Sequence, residues 1–142
     1  MSALVIMAAE PAKKHIFEIR PVKDSPSSDT ERMTYGSPPV SVNVGKVTLL
    51  DETALKSAHA RRTKQGYPIM DLEFTTEGTK SFAWVTGGNV GKKLAILIDG
   101  KVYTAPKIAS AITGGKSQVV GFSSEAEANT LAQKINDAVS KR

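Results

Sequence analysis

Cysteine is absent from the 142 residues, which excludes a disulfide framework and thiolate metal sites while leaving the redox compartment open. Long apolar runs are missing too, since no stretch approaches the ~20 residues that a bilayer-spanning helix requires. The nearest is 3–9, where Leu4, Val5, Ile6 and Met7 give way to small residues ahead of Glu10 and Pro11. That order resembles the end of a secretory signal, but the basic segment that precedes one is lacking. Residues 1–14 are therefore expected to be a flexible N-terminus or the remnant of a signal or anchor. The two histidines, His15 and His59, fall at no helical spacing from a further ligand type, so no metal site is expected of them. A Gly-x-Ser-x-Gly nucleophile elbow is absent. The run Gly87-Gly88-Asn89-Val90-Gly91-Lys92 has the glycines of a phosphate loop without its spacing, and a strand rather than a helix follows it. No cofactor is expected.

What the chain does have is positive charge, with 19 lysines and arginines against 14 acidic residues, a net charge of +5. The tightest groups are Arg61, Arg62 and Lys64, then Lys92 and Lys93, then Lys141 and Arg142. Such a balance favours anionic partners. Nucleic-acid readers add interleaved aromatics or a recognition helix to a basic patch, and here the aromatics stand apart, so a solvated positive face is expected and no specific nucleic-acid partner. Nucleic-acid binding through Arg61, Arg62 and Lys64 would instead show an affinity that falls steeply with salt.

The length suits one domain with a core of its own. A first strand is expected over 15–22, with Phe17 and Ile19 on one side, Glu18 and Arg20 on the other, and Pro21 at its end or at an edge. Residues 23–39 are rich in Ser, Pro, Asp and Thr, with Met33 and Tyr35 as the only anchors, and are expected to form a mobile loop. Short strands follow at 40–44 and 47–50. Asp51 then looks like the cap of a helix running through Thr63, with Ala54, Leu55, Ala58 and Arg62 at helical spacing.

Alternation over 68–75 places Met70, Leu72 and Phe74 on one strand face and Ile69, Asp71, Glu73 and Thr75 on the other. Thr75-Thr76-Glu77-Gly78 opens a helix that turns Phe82 and Val85 to the core, with Trp84 on a neighbouring side, and Gly87-Gly88 ends it. The apolar run 94–98, then Asp99-Gly100, then Lys101-Val102-Tyr103 is a hairpin signal, because Asp-Gly supplies the positive φ angles of a type I′ turn. Ile108, Ala111 and Ile112 suggest a short helix or irregular turn, and 117–122 a last strand. Ser123 and Ser124 open a C-terminal helix with Leu131, Ile135, Ala138 and Val139 as its apolar stripe. The sum is α+β: a mostly antiparallel sheet with about three helices packed on it, forming a single domain over 15–142.

Trp84 and Tyr103, large aromatics with a polar tip, are candidates for a binding surface, with Pro106 and Lys107 close by as a rim. Asp71 and Glu73 share a strand face and offer an acid/base pair, which with His59 would make a small hydrolase or transferase the alternative.

Several blocks in order resemble a known family. They are the strand before Thr76-Glu77-Gly78, Phe82, Thr86-(x)2-Asn89-(x)-Gly91-Lys92, Leu94-Ala-Ile-Leu-Ile-Asp-Gly-Lys-Val102, Ala105-Pro106, Ile112-(x)-Gly114-Gly115 and Gly121-Phe122. Together they are similar to the head of the first large periplasmic domain of SecD, an accessory subunit of the bacterial preprotein translocase, over roughly 47–138. The resemblance implies a non-enzymatic, extracytoplasmic module that engages unfolded polypeptide or a membrane or export partner protein. The chain is expected to be either an excised domain or a free-standing relative adapted to sensing a ligand or regulating a membrane protein.

Overall fold

Period-two apolar patterning prevails over helix propensity along most of this chain. The structure, a computed structural model, describes residues 15–141, so the apolar stretch at 3–9 lies outside the described residues. The strands are β1 (Phe17–Lys23), β2 (Thr30–Tyr35), β3 (Val40–Gly45), β4 (Leu50–Asp51), β5 (Leu55–Arg62), β6 (Pro68–Phe74), β7 (Leu94–Ile98), β8 (Lys101–Thr104) and β9 (Lys116–Val119). The helices are α1 (Thr76–Gly87) and α2 (Glu125–Ser140), and a 3-10 turn (Glu52–Ala54) joins β4 to β5. The fold is α+β and its strand pairings are antiparallel, as expected, with two helices among the described residues where about three were expected.

One sheet runs β2-β3-β1-β7-β8, with β4 beside β1, and the other runs β5-β6-β9. The first curls until its ends, β2 and β8, approach each other. Every residue of β7 is buried because it has a core on each side. Leu94, Ile96 and Ile98 join Phe17, Leu55, Met70, Leu72, Phe82 and Ile135 in the main core. Ala95 and Leu97 join Val42, Val44 and Val102 in a smaller core inside the curl. A strand packed on both faces has no reason to alternate, which is why 94–98 is an unbroken apolar run. Asp99 and Gly100 both take positive φ, 54° and 80°, and make the tight β7–β8 turn.

Four expectations need correction. The helix proposed for 51–63 is the 3-10 turn followed by β5, although Asp51 does cap the turn by accepting from the Thr53 N–H. A bulge between Leu55 and Ser57 adds one residue to the β5 side of the β5–β6 ladder. It sets Leu55 and Ala58 three apart, and that spacing imitates a helix. The supposed loop at 23–39 contains β2, which pairs with β3 from Thr30↔Gly45 to Tyr35↔Val40. Its half-buried Met33 and Tyr35 pack on the smaller core, so an edge strand forms with little apolar content. Pro21 neither ends β1 nor lies at the sheet edge, because β1 pairs with β7 over 17–21 and continues to Lys23. The proline stands where the neighbour on the other side of β1 changes from β4 to β3. Of the expected strand at 47–50 only Leu50 is in a strand, the two-residue β4 that it forms with Asp51.

The chain covers one exposed sheet edge with a side chain. Asn136 on α2 accepts from the Ala58 N–H and donates to the Ala58 carbonyl, both at 2.8 Å, and so stands in for a neighbouring strand beside β5. Asn136→Ala leaves both backbone groups of Ala58 without partners and is expected to cost about 1–3 kcal/mol, read as a lower midpoint in urea unfolding with an unchanged slope.

Candidate functional site

The surface that carries Trp84 is positioned by the opposite face of α1. Thr75 caps the helix by accepting from the Gly78 N–H at 2.9 Å, and Phe82 stacks on Phe74 with ring centres 4.5 Å apart. One turn beyond Phe82, the fully buried Thr86 donates its hydroxyl to the Phe82 carbonyl at 2.7 Å and accepts from the Ile112 N–H at 2.9 Å. Gly91 N–H donates to Ile108, Ile108 N–H to Lys92, and Leu94 N–H to Pro106. The irregular segment after β8 is thereby tied to the end of α1 and the turn behind it. Trp84 projects away from these anchors, 83% exposed, with Val90 half exposed beyond it. Pro106 and Lys107 are exposed on the tied segment.

Tyr103 does not belong to that surface. It is 6% exposed, its ring stacks on Phe122 at 4.7 Å, and its hydroxyl donates to Glu127 Oε2 at 2.9 Å. Burial, and then the bond to Glu127, push the phenol well above its ordinary value. Burial pulls the Glu127 carboxyl upward, but bonds from the Ser123 N–H, the Tyr103 hydroxyl and the Ser123 hydroxyl outweigh it and hold the carboxyl below the usual range. Ser124 in turn caps α2 by accepting from the Glu127 N–H at 3.0 Å. Tyr103 thus fastens β8 to the start of α2.

The outer face of β5-β6-β9 forms an open cavity of about 510 Å³ that brings His59, Asp71 and Glu73 together with Lys116 and Gln118. Asp71 is paired with Arg61 at 2.6 Å, and Glu73 lies 3.8 Å from Lys56. Both carboxylates are therefore held in exposed ion pairs on a wet sheet face. His15 sits apart from these, with Nδ1 3.1 Å from Glu52 Oε2 and 3.7 Å from Asp51 Oδ2. The other Glu52 oxygen accepts from the Ile16 and Phe17 N–H groups. These three side chains have the donor set of a cation site, but as they stand they clip the start of β1 to the 3-10 turn. Among the described residues, no helix is long and apolar enough to cross a membrane.

The model of the SecDF P1 head subdomain matches residues 29–138. This chain belongs to that family. The match starts ahead of the resemblance at 47–138 because the head includes β2 and β3. SecD of Acidaminococcus fermentans is 44% identical over 85 residues, which are 60% of this chain and 20% of the relative. SecDF of Thermus thermophilus is 49% identical over 84 residues, 59% of this chain and 11% of the relative. Matches to these curated relatives thus span a fifth of their length or less. A solved structure of SecDF, described as a membrane component that enhances protein export, superposes with a TM-score of 0.70 at 33% identity, covering 84% of this chain and 61% of that one. SecDF crystallised in a super-membrane-facing form gives 0.70 at 34% identity, over 84% and 18%.

Two positioning residues of this P1 head, Thr86 and Glu127, escape sequence reasoning because each acts on a segment distant in sequence. For Glu127 the signal was available in Ser124-x-x-Glu127, a capping box. Thr86→Val keeps the shape but leaves the Ile112 N–H without its acceptor, and is expected to cost about 1–3 kcal/mol with faster hydrogen exchange at Ile112. The Glu127 contribution to stability is present above the ordinary glutamate range and is lost as pH falls below that range through the lower folded value. Urea midpoints measured from pH 7 to pH 3 are expected to fall more for the parent than for Glu127→Gln.

Proposed function

We propose that this P1 head is a non-enzymatic, extracytoplasmic binding module that engages unfolded polypeptide, or a partner protein, during protein export. Its contact surface is Trp84 on α1, flanked by Pro106 and Lys107. The observation that carries the reading is the exposure of Trp84 on a helix whose other face is pinned by Thr75, Phe82 and Thr86. Anchor residues of interfaces are enriched in tryptophan and gain from a rigid mounting. Covering most of an indole, ~200 Å² at ~25 cal/mol per Å², contributes roughly 5 kcal/mol before ordering costs. Family membership supports the setting, since the solved relative is a component that enhances protein export. A second reading, a sensory or regulatory domain for a small polar ligand, draws its support from the open cavity at His59, Asp71 and Glu73.

Trp84 is the sole tryptophan of the chain, so its fluorescence reports on that surface alone. Titration with a reduced, permanently unfolded polypeptide is expected to shift the emission to shorter wavelength, and the folded form of the same polypeptide to leave it unchanged. With a labelled polypeptide followed by anisotropy, Trp84→Ala is expected to weaken binding at least tenfold, or about 1.4 kcal/mol. Equal binding by Trp84→Ala, or no binding by the parent, overturns the reading.

A further inference from the structure

Where β1 passes from β4 to β3, the chain encloses a second concavity of about 550 Å³. Lys23, Lys92, Lys93 and Lys107 line it, with Asp24 as the one carboxylate and Asn43 beside them. Among the described residues, the lysines paired with carboxylates are Lys56 and Lys134, so none of the four lining lysines is neutralised by the protein itself. Two of them are set against each other by the backbone, because Lys93 and Lys107 face one another across an isolated antiparallel bridge. Like charges directly opposite across strands destabilise. The arrangement is not left to loose chain either: the Val22 N–H donates to the Lys93 carbonyl, and the Ile108 N–H to that of Lys92.

A polyvalent anion relieves this repulsion, and the lining residues favour one kind. Planar carboxylates are matched best by the fork of arginine, and no arginine lines the cavity. Ammonium groups act as point charges suited to the several oxygens of a phosphate. The volume lies within the range of small-ligand sites. We propose that this cavity binds a phosphoester anion through Lys92, Lys93 and Lys107, with Lys23 adding to the field. The site shares Lys107 with the rim of the surface proposed around Trp84, but its other lysines, Lys23, Lys92 and Lys93, play no part in the polypeptide reading.

The test follows backbone amide shifts of the full chain with inorganic phosphate and then with glycerol 3-phosphate. Saturable shifts centred on Asn43, Gly91, Lys92 and Lys93 are expected. Lys93→Gln with Lys107→Gln is expected to weaken binding at least tenfold and, by removing the repulsion, to raise the melting temperature of the unliganded protein. The control Lys80→Gln with Lys116→Gln, which changes the net charge equally, is expected to bind as the parent does. Cosedimentation with phosphatidylcholine vesicles that contain phosphatidylglycerol, but not with phosphatidylcholine alone, identifies a lipid headgroup as the source. Saturable phosphate binding without cosedimentation identifies a soluble phosphoester. Shifts that do not saturate, shifts spread evenly over the surface lysines, or undiminished binding by the Lys93/Lys107 variant overturn the proposal.

Discussion

Gly78 has no side chain because the Ala54 carbonyl occupies the place where a Cβ would be. That close approach sets how the parts of the molecule meet. Ala54 ends the 3-10 turn that carries the chain from one sheet to the other, and its carbonyl accepts from the Thr75 N–H at 3.0 Å. Thr75 then caps α1, so the junction between the sheets and the start of the helix are one structure. With the helix start fixed there, Phe82 reaches Phe74, Thr86 reaches Ile112 and Trp84 is left facing outward. A side chain at residue 78 has to move either the helix or the turn, and both are held by backbone bonds.

The second constraint is the division of β7 between two cores. Because β7 packs the main core with one face and the interior of the curled sheet with the other, neither core forms without it. Arg20 closes the curled sheet from within. It is buried, donates from Nε to the Gly45 carbonyl at 2.8 Å and meets Glu31 at 2.8 Å, so a strand of low apolar content, β2, is tied back to the central β1. A buried guanidinium with its partners in place adds specificity of pairing more dependably than net stability.

Elements with strong local chemistry were legible in the sequence. The Asp-Gly hairpin, the alternation of β6, the helix opening at Thr75-Thr76-Glu77-Gly78, the hydroxyl cap of the C-terminal helix and the ordered blocks that resemble the SecD head all correspond to features of the structure or the family match. What was not legible depends on geometry between distant segments. A single bulge gave β5 the spacing of a helix, and the backbone pairing that makes β2 a strand leaves almost no trace in side-chain pattern. Tyr103 has the composition of a surface aromatic, yet its hydroxyl finds Glu127 on a helix 24 residues away and its ring is buried. Pro106 and Lys107 are exposed, but the bond from the Leu94 N–H to the Pro106 carbonyl and the bridge between Lys107 and Lys93 could not be inferred from spacing.

Presentation of Trp84 depends on α1 being a rigid platform set by the Gly78–Ala54 contact, because only a fixed helix offers it without an ordering cost at each encounter. Native-state hydrogen exchange of the α1 amides, compared with those of β7, tests this most directly. A platform locked to the core exchanges only through global unfolding, so the buried-side amides from Phe82 to Thr86 should show the same opening free energy as β7, and Gly78→Ala should separate the two. Opening of α1 in the parent protein at a free energy well below that of β7 would contradict the account.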